Sequence, residues 1–301
     1  MSVCQSFELL AQAPTSQAAQ INLFQAIVIG IVQGLTEFLP ISSTAHVKIV
    51  PVALGWGDPG VAFTAVIQLG SLAAILWYFW DDLTTVTRNT ITAALAKRYQ
   101  SSEFRLGLGI VLGSIPIVFC GLIIKVFFET QYETSVIRST QAIAITSIVM
   151  ALLLGVAEKV GSRQRNFEKL DLWDGIAVGV GQALALVPGV SRSGSTLTAG
   201  LFLGLERDTA ARFSFLLGTP AILLSGLVEL KGLLEEMSTV GDASLIPLIG
   251  GLIAAVISSY LAIAWLIKFL RRHSTWIFVW YRLAFGLAIL IGLATKTIQN
   301  V

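Results

Sequence analysis

The chain has 301 residues, 55% of them hydrophobic and only 13% charged, and its mean hydropathy is +0.79. Water-soluble domains carry roughly 25% charged residues, so this composition excludes a secreted, nucleic-acid-binding or disordered protein and indicates an integral membrane protein. The 20 Lys and Arg nearly cancel the 18 Asp and Glu, so the placement of the charges says more than their sum.

Residues 1–20, MSVCQSFELLAQAPTSQAAQ, contain no Lys or Arg and no apolar core of signal-peptide length, which predicts a short polar, mobile tail instead of a cleaved signal. Cys4 lies in this tail and Cys120 in an apolar run. Two isolated cysteines supply neither a disulfide framework nor a metal-ligand set. Residues 21–301 are predicted to form one integral membrane domain. Apolar stretches at 61–80, 106–128, 139–157, 212–230, 246–267 and 276–295 are each long enough to cross a hydrocarbon core of roughly 30 Å as a helix, giving six full spans.

Two further apolar regions, 23–50 and 174–205, are interrupted by PISSTAH (40–46) and PGVSRSGST (188–196). Irregular backbone at membrane depth survives only where it is buried in protein or lines a polar cavity, so each interruption predicts a re-entrant hairpin of two half-helices. The simpler alternative is a proline-kinked span. Internal repetition favours the hairpins: Gly30, Gln33, Leu35 and Ser42 recur as Gly179, Gln182, Leu184 and Ser191, a shift of 149 residues. Phe63 and Phe213 are 150 apart, and LIIKVFF at 122–128 echoes LIKFL at 266–270. Repeat one runs over about 23–157 and repeat two over about 174–295. Each holds one interrupted segment and three spans, and an odd number of spans inverts the second half in the membrane. The expected fold is an all-α polytopic membrane protein with six full transmembrane helices and two re-entrant helical hairpins in an inverted repeat.

With the N-terminus on one side, thirteen Lys and Arg gather on the other, clustered around Arg88–Arg105, Lys159–Lys169, Arg207–Arg212 and Lys268–Arg272, against four (Lys48, Arg138, Lys231, Lys296) on the first. The positive-inside rule makes the basic side cytoplasmic, which places both termini and the first interrupted loop outside. The loop charges read as solvated surface. Trp77, Trp80, Trp173 and Trp276 read as interfacial anchors, and the pairs Gly30/Gly34, Gly175/Gly179 and Gly200/Gly204 as close helix-packing contacts.

Lys125, Arg192, Arg282, Glu37 and His46 remain at membrane depth, where an ionisable group costs at least about 2.5 kcal/mol and is retained mainly for a partner or a wet cavity. If a half-helix restarts at Ser42 or Ser43, a serine cap and free backbone N–H groups form an anion site. His46 would follow one turn later on the same face as Ser43, near enough to exchange a proton with its hydroxyl. The second loop adds the planar, permanently charged fork of Arg192, flanked by Ser191 and Ser193 with Thr196 close behind; the plain alternative is an arginine that only neutralises Glu37. Together the two loops suggest phosphoryl chemistry on a lipid. For Tyr281 and Arg282, a lipid-headgroup contact and structural pairing both stay open, and Gln68 is unassigned.

QGLTEFLPISSTAH at 33–46 and PGVSRSGST at 188–196 resemble the two motifs of the undecaprenyl-diphosphate phosphatase family of bacterial membrane enzymes, the bacitracin-resistance type; FTAVIQLGS at 63–71 and FSFLLGTPA at 213–221 extend the likeness over nearly the whole chain. The resemblance implies removal of the terminal phosphate of a C55 isoprenoid diphosphate, regenerating the monophosphate carrier for peptidoglycan. It further implies bacitracin resistance, a bacterial plasma-membrane location and an active site open to the outer face. The family's glutamate-rich motif falls on Gln33 and Glu37, one helical turn apart, its serine and histidine on Ser42, Ser43 and His46, and its arginine motif on Ser191, Arg192, Ser193 and Thr196. A divalent cation, Mg²⁺ or Ca²⁺, is an implied cofactor, although Gln33 is a poorer ligand than a second carboxylate.

The expected mechanism has Ser43 attacking phosphorus, His46 accepting its proton, Glu37 orienting that histidine and Arg192 binding the phosphate oxygens, with Gln33, Ser42, Ser191, Ser193 and Thr196 as further phosphate contacts. The competing version makes His46 the nucleophile. The expected partners are a polyprenyl diphosphate and membrane lipids, not nucleic acid, with a homodimer left open. The rival function is a lipid-phosphate transporter or flippase, since inverted repeats with broken helices also build transporters.

Overall fold

Where the chain can hydrogen-bond its own helix ends, the sequence says so, and the boundaries follow. α1 (Leu23–Phe38) opens with a capping box in which Asn22 and Gln25 each accept the other's backbone N–H. It stops where Leu39, held extended (φ −68°, ψ 143°), precedes Pro40, whose ring disfavours a helical residue before it. α2 (Ser43–Ala53) restarts after residues 39–42. α3 (Val61–Tyr78), α4 (Trp80–Leu95), α5 (Ser102–Phe127), the short α6 (Glu129–Glu133) and α7 (Thr140–Val160) complete the first half. The second half comprises α8 (Leu172–Ala183), opened by an Asp171/Asp174 capping box, α9 (Arg192–Phe202), α10 (Arg207–Met237), α11 (Leu245–Leu270) and α12 (Trp276–Ala294). This computed structural model describes residues 21–57, 59–237, 245–298 and 300, so the expected polar tail at 1–20 lies outside the described residues. Among the described residues the fold is all-helical apart from a single bridge between Arg165 and Leu205.

Among the described residues four helices, α5, α7, α11 and α12, are long and apolar enough to cross a membrane, matching four of the six predicted spans. The other two predicted spans fall in α3, whose apolar part is Val66–Tyr78, and in α10. The interrupted regions are each divided into two helices: α1 and α2, and α8 and α9, the latter pair separated by a 3₁₀ turn at Leu184–Leu186.

The broken helix of each half packs on the long helix of the other: α1 on α11, α8 on α5. Glycine permits both crossings. A Cβ at Gly30 would stand 2.2 Å from the Gly251 carbonyl oxygen and one at Gly34 2.0 Å from Ser258 Oγ; at Gly175 and Gly179 it would meet the carbonyl oxygens of Gly109 and Gly113 at 2.3 and 2.1 Å. These backbones touch, as small-residue helix packing requires. Equivalent helices also meet each other, α3 against α10 and α7 against α12. The pair Gly200/Gly204 departs from the packing expectation. Gly200 faces Ala210, but Gly204 (φ 78°) ends α9 as a Schellman turn, with Leu205 N donating to Gly200 O and Gly204 N to Leu201 O, each at 3.0 Å.

Polarity runs inside out. Gln33, Glu37, His46, Ser71, Gln182, Thr196, Ser214, Ser259 and Arg282 are buried, whereas Phe24, Trp77, Val111, Phe119, Ile257 and Trp280 are exposed. This is the arrangement of a chain whose outer solvent is hydrocarbon. A core of Phe38, Phe79, Phe213 and Phe215, with Phe38 edge-on to Phe215 at 5.3 Å, sits beneath the first break.

Five arginines of the basic side, Arg105, Arg163, Arg165, Arg207 and Arg212, are held in ion pairs, contrary to the expectation of plainly solvated loops. Glu158, 3% exposed, accepts from Arg207, Arg163 and the Thr275 hydroxyl. Arg165 grips Asp174, Arg212 grips Asp82 and Arg105 grips Asp171. The Asp174 hydrogen bond raises the pKa of Arg165 above its usual range and keeps it charged. These pairs staple α4, α5, α7, α8, α10 and the turn before α12 at one end of the bundle.

Candidate active site

The two breaks are built alike. Each helix restarts behind a serine with positive φ, Ser42 (φ 75°, ψ 95°) before α2 and Ser191 (φ 71°, ψ 115°) before α9. A non-glycine residue there is strained, and such strain persists where surrounding contacts enforce it, commonly at functional sites. The enforcing group is Arg282. Fully buried, its guanidinium donates to Pro40 O and Val190 O from Nη1, to Gly189 O and Val190 O from Nη2, and to Ser147 O from Nε, at 2.7–3.2 Å. One side chain on α12 thereby ties both breaks together. Sequence reasoning singled it out as a charge at membrane depth but left its role open; no local signal says that a guanidinium will meet four backbone carbonyls.

In the first break, Glu37 Oε2 accepts from Ser43 Oγ at 2.7 Å and from Gln33 Nε2 at 3.2 Å. The expected Ser43–His46 contact does not form. His46 Nδ1 lies 2.7 Å from Ser42 O and Nε2 lies 2.7 Å from Tyr281 Oη, and the ring stacks on Phe285 at 4.2 Å. A carbonyl only accepts, so the neutral ring carries its proton on Nδ1 and receives the tyrosine's on Nε2. The helical restart at Ser43 turns the Ser42 carbonyl along the helix axis, where His46, four residues on, captures it. The hydrogen-bond partner of Ser43 is therefore the Glu37 carboxylate, and His46 braces the break against α12. Ser42 caps nothing with its side chain, another departure from the expected serine cap.

In the second break, Ser191 does cap, accepting from Gly194 N at 3.1 Å. Ser193 Oγ reaches across to Glu37 O and Leu39 O at 3.2 and 2.9 Å, so it joins the breaks. Thr196 turns its hydroxyl to Arg192 O at 2.7 Å and to Ser214. Arg192 Nη2 approaches Glu37 Oε1 at 3.4 Å, a long contact, while its buried Nε and Nη1 have no hydrogen-bond partner. Both atoms are shielded, Nη1 against Gly218, while the arginine as a whole borders the cavity, where a planar charged fork suits an anion. A Cβ at Gly218 would stand 2.1 Å from Nη1, so glycine leaves the arginine its room.

These groups border one cavity of about 420 Å³, lined by Glu37, Ser42, Ser43, Ser191, Arg192 and Gln68 and continued by an apolar wall from α5, the second break and α10. Five of the sequence-predicted site residues thus meet at one space. Gln33, His46, Ser193 and Thr196 stand behind it as supports and do not line it. A hydroxyl hydrogen-bonded to a carboxylate, in a cavity that an arginine also borders, can deliver a nucleophile to an anionic electrophile.

A family model described as bacitracin resistance protein BacA matches residues 26–288. Among curated proteins, the chain is 61% identical to an undecaprenyl-diphosphatase of a Nostoc species over 97% of this chain and 92% of that protein. It is 63% identical to one from a Synechocystis species, over 92% of this chain and 84% of that protein. With one from Trichodesmium erythraeum it shares 59% identity over 95% and 91%.

Proposed function

The chain belongs to the bacitracin resistance protein BacA family, and we propose that it is an undecaprenyl-diphosphatase that removes the terminal phosphate of undecaprenyl diphosphate, recycles the lipid carrier for peptidoglycan synthesis and confers bacitracin resistance. The observation that carries the chemistry is the pairing of Ser43 Oγ with Glu37 at 2.7 Å in the cavity that Arg192 also borders. Ser43 Oγ attacks the terminal phosphorus and passes its proton to Glu37. The bond from that phosphorus to the bridging oxygen breaks, and its electron pair leaves with the prenyl monophosphate. Glu37 gives that proton to the departing monophosphate; water then attacks the phosphoserine, passing a proton to Glu37, which delivers it to Ser43 Oγ as the phosphorus–Oγ bond breaks and orthophosphate departs. Arg192 holds the equatorial oxygens throughout, and Ser42 and Ser191 contribute further contacts. The cavity's apolar wall receives the first isoprene units.

In the membrane, the reading supported by composition, repeat and loop charge is six spans with two hairpins entering from opposite faces in an inverted repeat. It sits in the bacterial inner membrane, with both termini outside and the site open to the outer face. The reciprocal packing of α1 on α11 and α8 on α5 supports the repeat. A homodimer is compatible with this reading. A divalent cation fits the donor set poorly: among the described residues Glu37 is the one carboxylate bordering the cavity, and its oxygens are already shared with Ser43, Gln33 and Arg192.

The test is direct. Purified protein in detergent, given undecaprenyl diphosphate, releases orthophosphate, and Ser43→Ala does not. If the wild-type protein moved lipid across vesicles without releasing phosphate, a transporter would replace the enzyme.

A further inference from the structure

The cavity holds a cation that the proposed chemistry leaves unused. Lys125, in the last turn of α5, borders the same space as Glu37, Ser43 and Arg192. It shares a stripe of α5 with Gly121 and Val118, four and seven residues earlier, which also line the cavity. At Gly121 the helix is in reach of the second break: a Cβ there would lie 3.7 Å from Leu186 Cδ2, ordinary van der Waals contact. Lys125, exposed, follows one turn later on the same stripe of α5.

Charge bookkeeping along the lining gives this position its meaning. Glu37 and Arg192 pair and offset each other, so Lys125 is the net positive charge of the cavity. A prenyl diphosphate brings two phosphoryl groups, and Arg192 with the Ser43 hydroxyl accounts for one. The second, joined to the lipid, must lie further along the apolar wall.

We propose that Lys125 binds the lipid-proximal phosphate, the group that leaves with the product, and so sets the preference of this site for diphosphates over monophosphates. The proposal rests on the phosphatase reading above. Its chemistry follows from the bond that breaks: the bridging oxygen takes the electron pair, charge grows on the proximal phosphate, and an ammonium there stabilises both the bound diphosphate and the departing monophosphate. A lysine at a helix end has another natural role, reaching out to phospholipid headgroups, and the experiment separates the two.

Two non-hydrolysable ligands of one chain length, a prenyl methylenediphosphonate and a prenyl phosphonate, are bound to detergent-purified protein, with affinity read by thermophoresis so that turnover is not needed. The wild-type protein favours the diphosphonate by roughly tenfold or more, the size of one charge-assisted contact. Lys125→Gln erases that preference and Lys125→Arg keeps most of it. A preference that persists within twofold in Lys125→Gln overturns the proposal and returns Lys125 to the headgroup role. Orthophosphate release by the wild-type protein is assayed in parallel: its absence sinks the phosphatase reading, whereas release with an unchanged diphosphonate preference sinks the Lys125 assignment alone.

Discussion

The two breaks, 149 residues apart, can be laid over one another residue by residue. Ser42 and Ser191 share a left-handed backbone, and each is followed by a short helix of the same length, Ser43–Ala53 and Arg192–Phe202. Their side chains diverge where chemistry is needed. Glu37 faces Leu186 in the repeat, Ser43 faces Arg192 and His46 faces Ser195, while Gln33 faces Gln182. One break thus holds a hydroxyl on a carboxylate, the other a guanidinium bordering the same cavity. The duplicated backbone supplies two strained turns that Arg282 binds into one unit, and divergence places the proposed nucleophile on one and the proposed anion receptor on the other. Neither turn is a site alone, which is why the pieces lie so far apart in sequence and so close in space.

The division is broken most severely on the nucleophile side. Ser43→Ala lowers orthophosphate release by about a thousandfold or more, the scale of losing a nucleophile, and Glu37→Gln by about a hundredfold or more, the scale of losing a general base. A phosphoryl adduct trapped on the wild-type protein is stable to acid and labile to base; the reverse stability would place the adduct on His46 and overturn the serine assignment. On the receptor side, Arg192→Ala costs about a hundred- to a thousandfold in turnover. Arg192→Lys recovers only part of it, because an ammonium cannot present the planar fork. Full recovery by lysine would show that charge alone suffices and that the geometry of the second break matters little.

How far the sequence foretold this arrangement depends on range. Glu37, Ser43 and Arg192 were legible because membrane depth makes charge and hydroxyl conspicuous, and the shift of 149 residues paired the breaks. The hydrogen-bond directions were not. Spacing alone sets His46 one turn from Ser43, yet the positive φ of Ser42 offers its carbonyl to the ring, and Tyr281, 235 residues away, takes the other nitrogen. The roles of Arg282 and of the paired arginines around Glu158 depend on distant backbone and likewise have no local pattern. The helix-packing glycines were legible at Gly30 and Gly179 but not at Gly204, since a C-cap and a packing glycine look the same in a sequence.

A smaller effect is expected at the brace. Tyr281→Phe leaves the His46 ring its stack on Phe285 but removes the hydroxyl at Nε2, so turnover falls by about tenfold or less, with the loss in kcat rather than KM. His46→Gln, which retains a donor for the Ser42 carbonyl, keeps more activity than His46→Ala. Equal and complete loss in both would mean that the imidazole takes part in the chemistry.

The scaffold beneath the comparison is tested at its crossings. At Gly179 an added methyl would meet the Gly113 carbonyl at 2.1 Å, and at Gly30 it would meet that of Gly251 at 2.2 Å. Both partners are backbone of a long helix that cannot turn aside, so α8 must move off α5, or α1 off α11. Overpacking of this kind costs about 1–3 kcal/mol, read as a lower thermal midpoint in detergent. Because the crossings are reciprocal, Gly30→Ala and Gly179→Ala should destabilise by similar amounts although they lie in different breaks. Their effects on turnover should also match, since displacing either broken helix pulls Ser43 and Arg192 apart by the same route. A large inequality would show that one break is held chiefly by Arg282 and the ion pairs of the basic end, and that the two halves share a backbone without sharing the load.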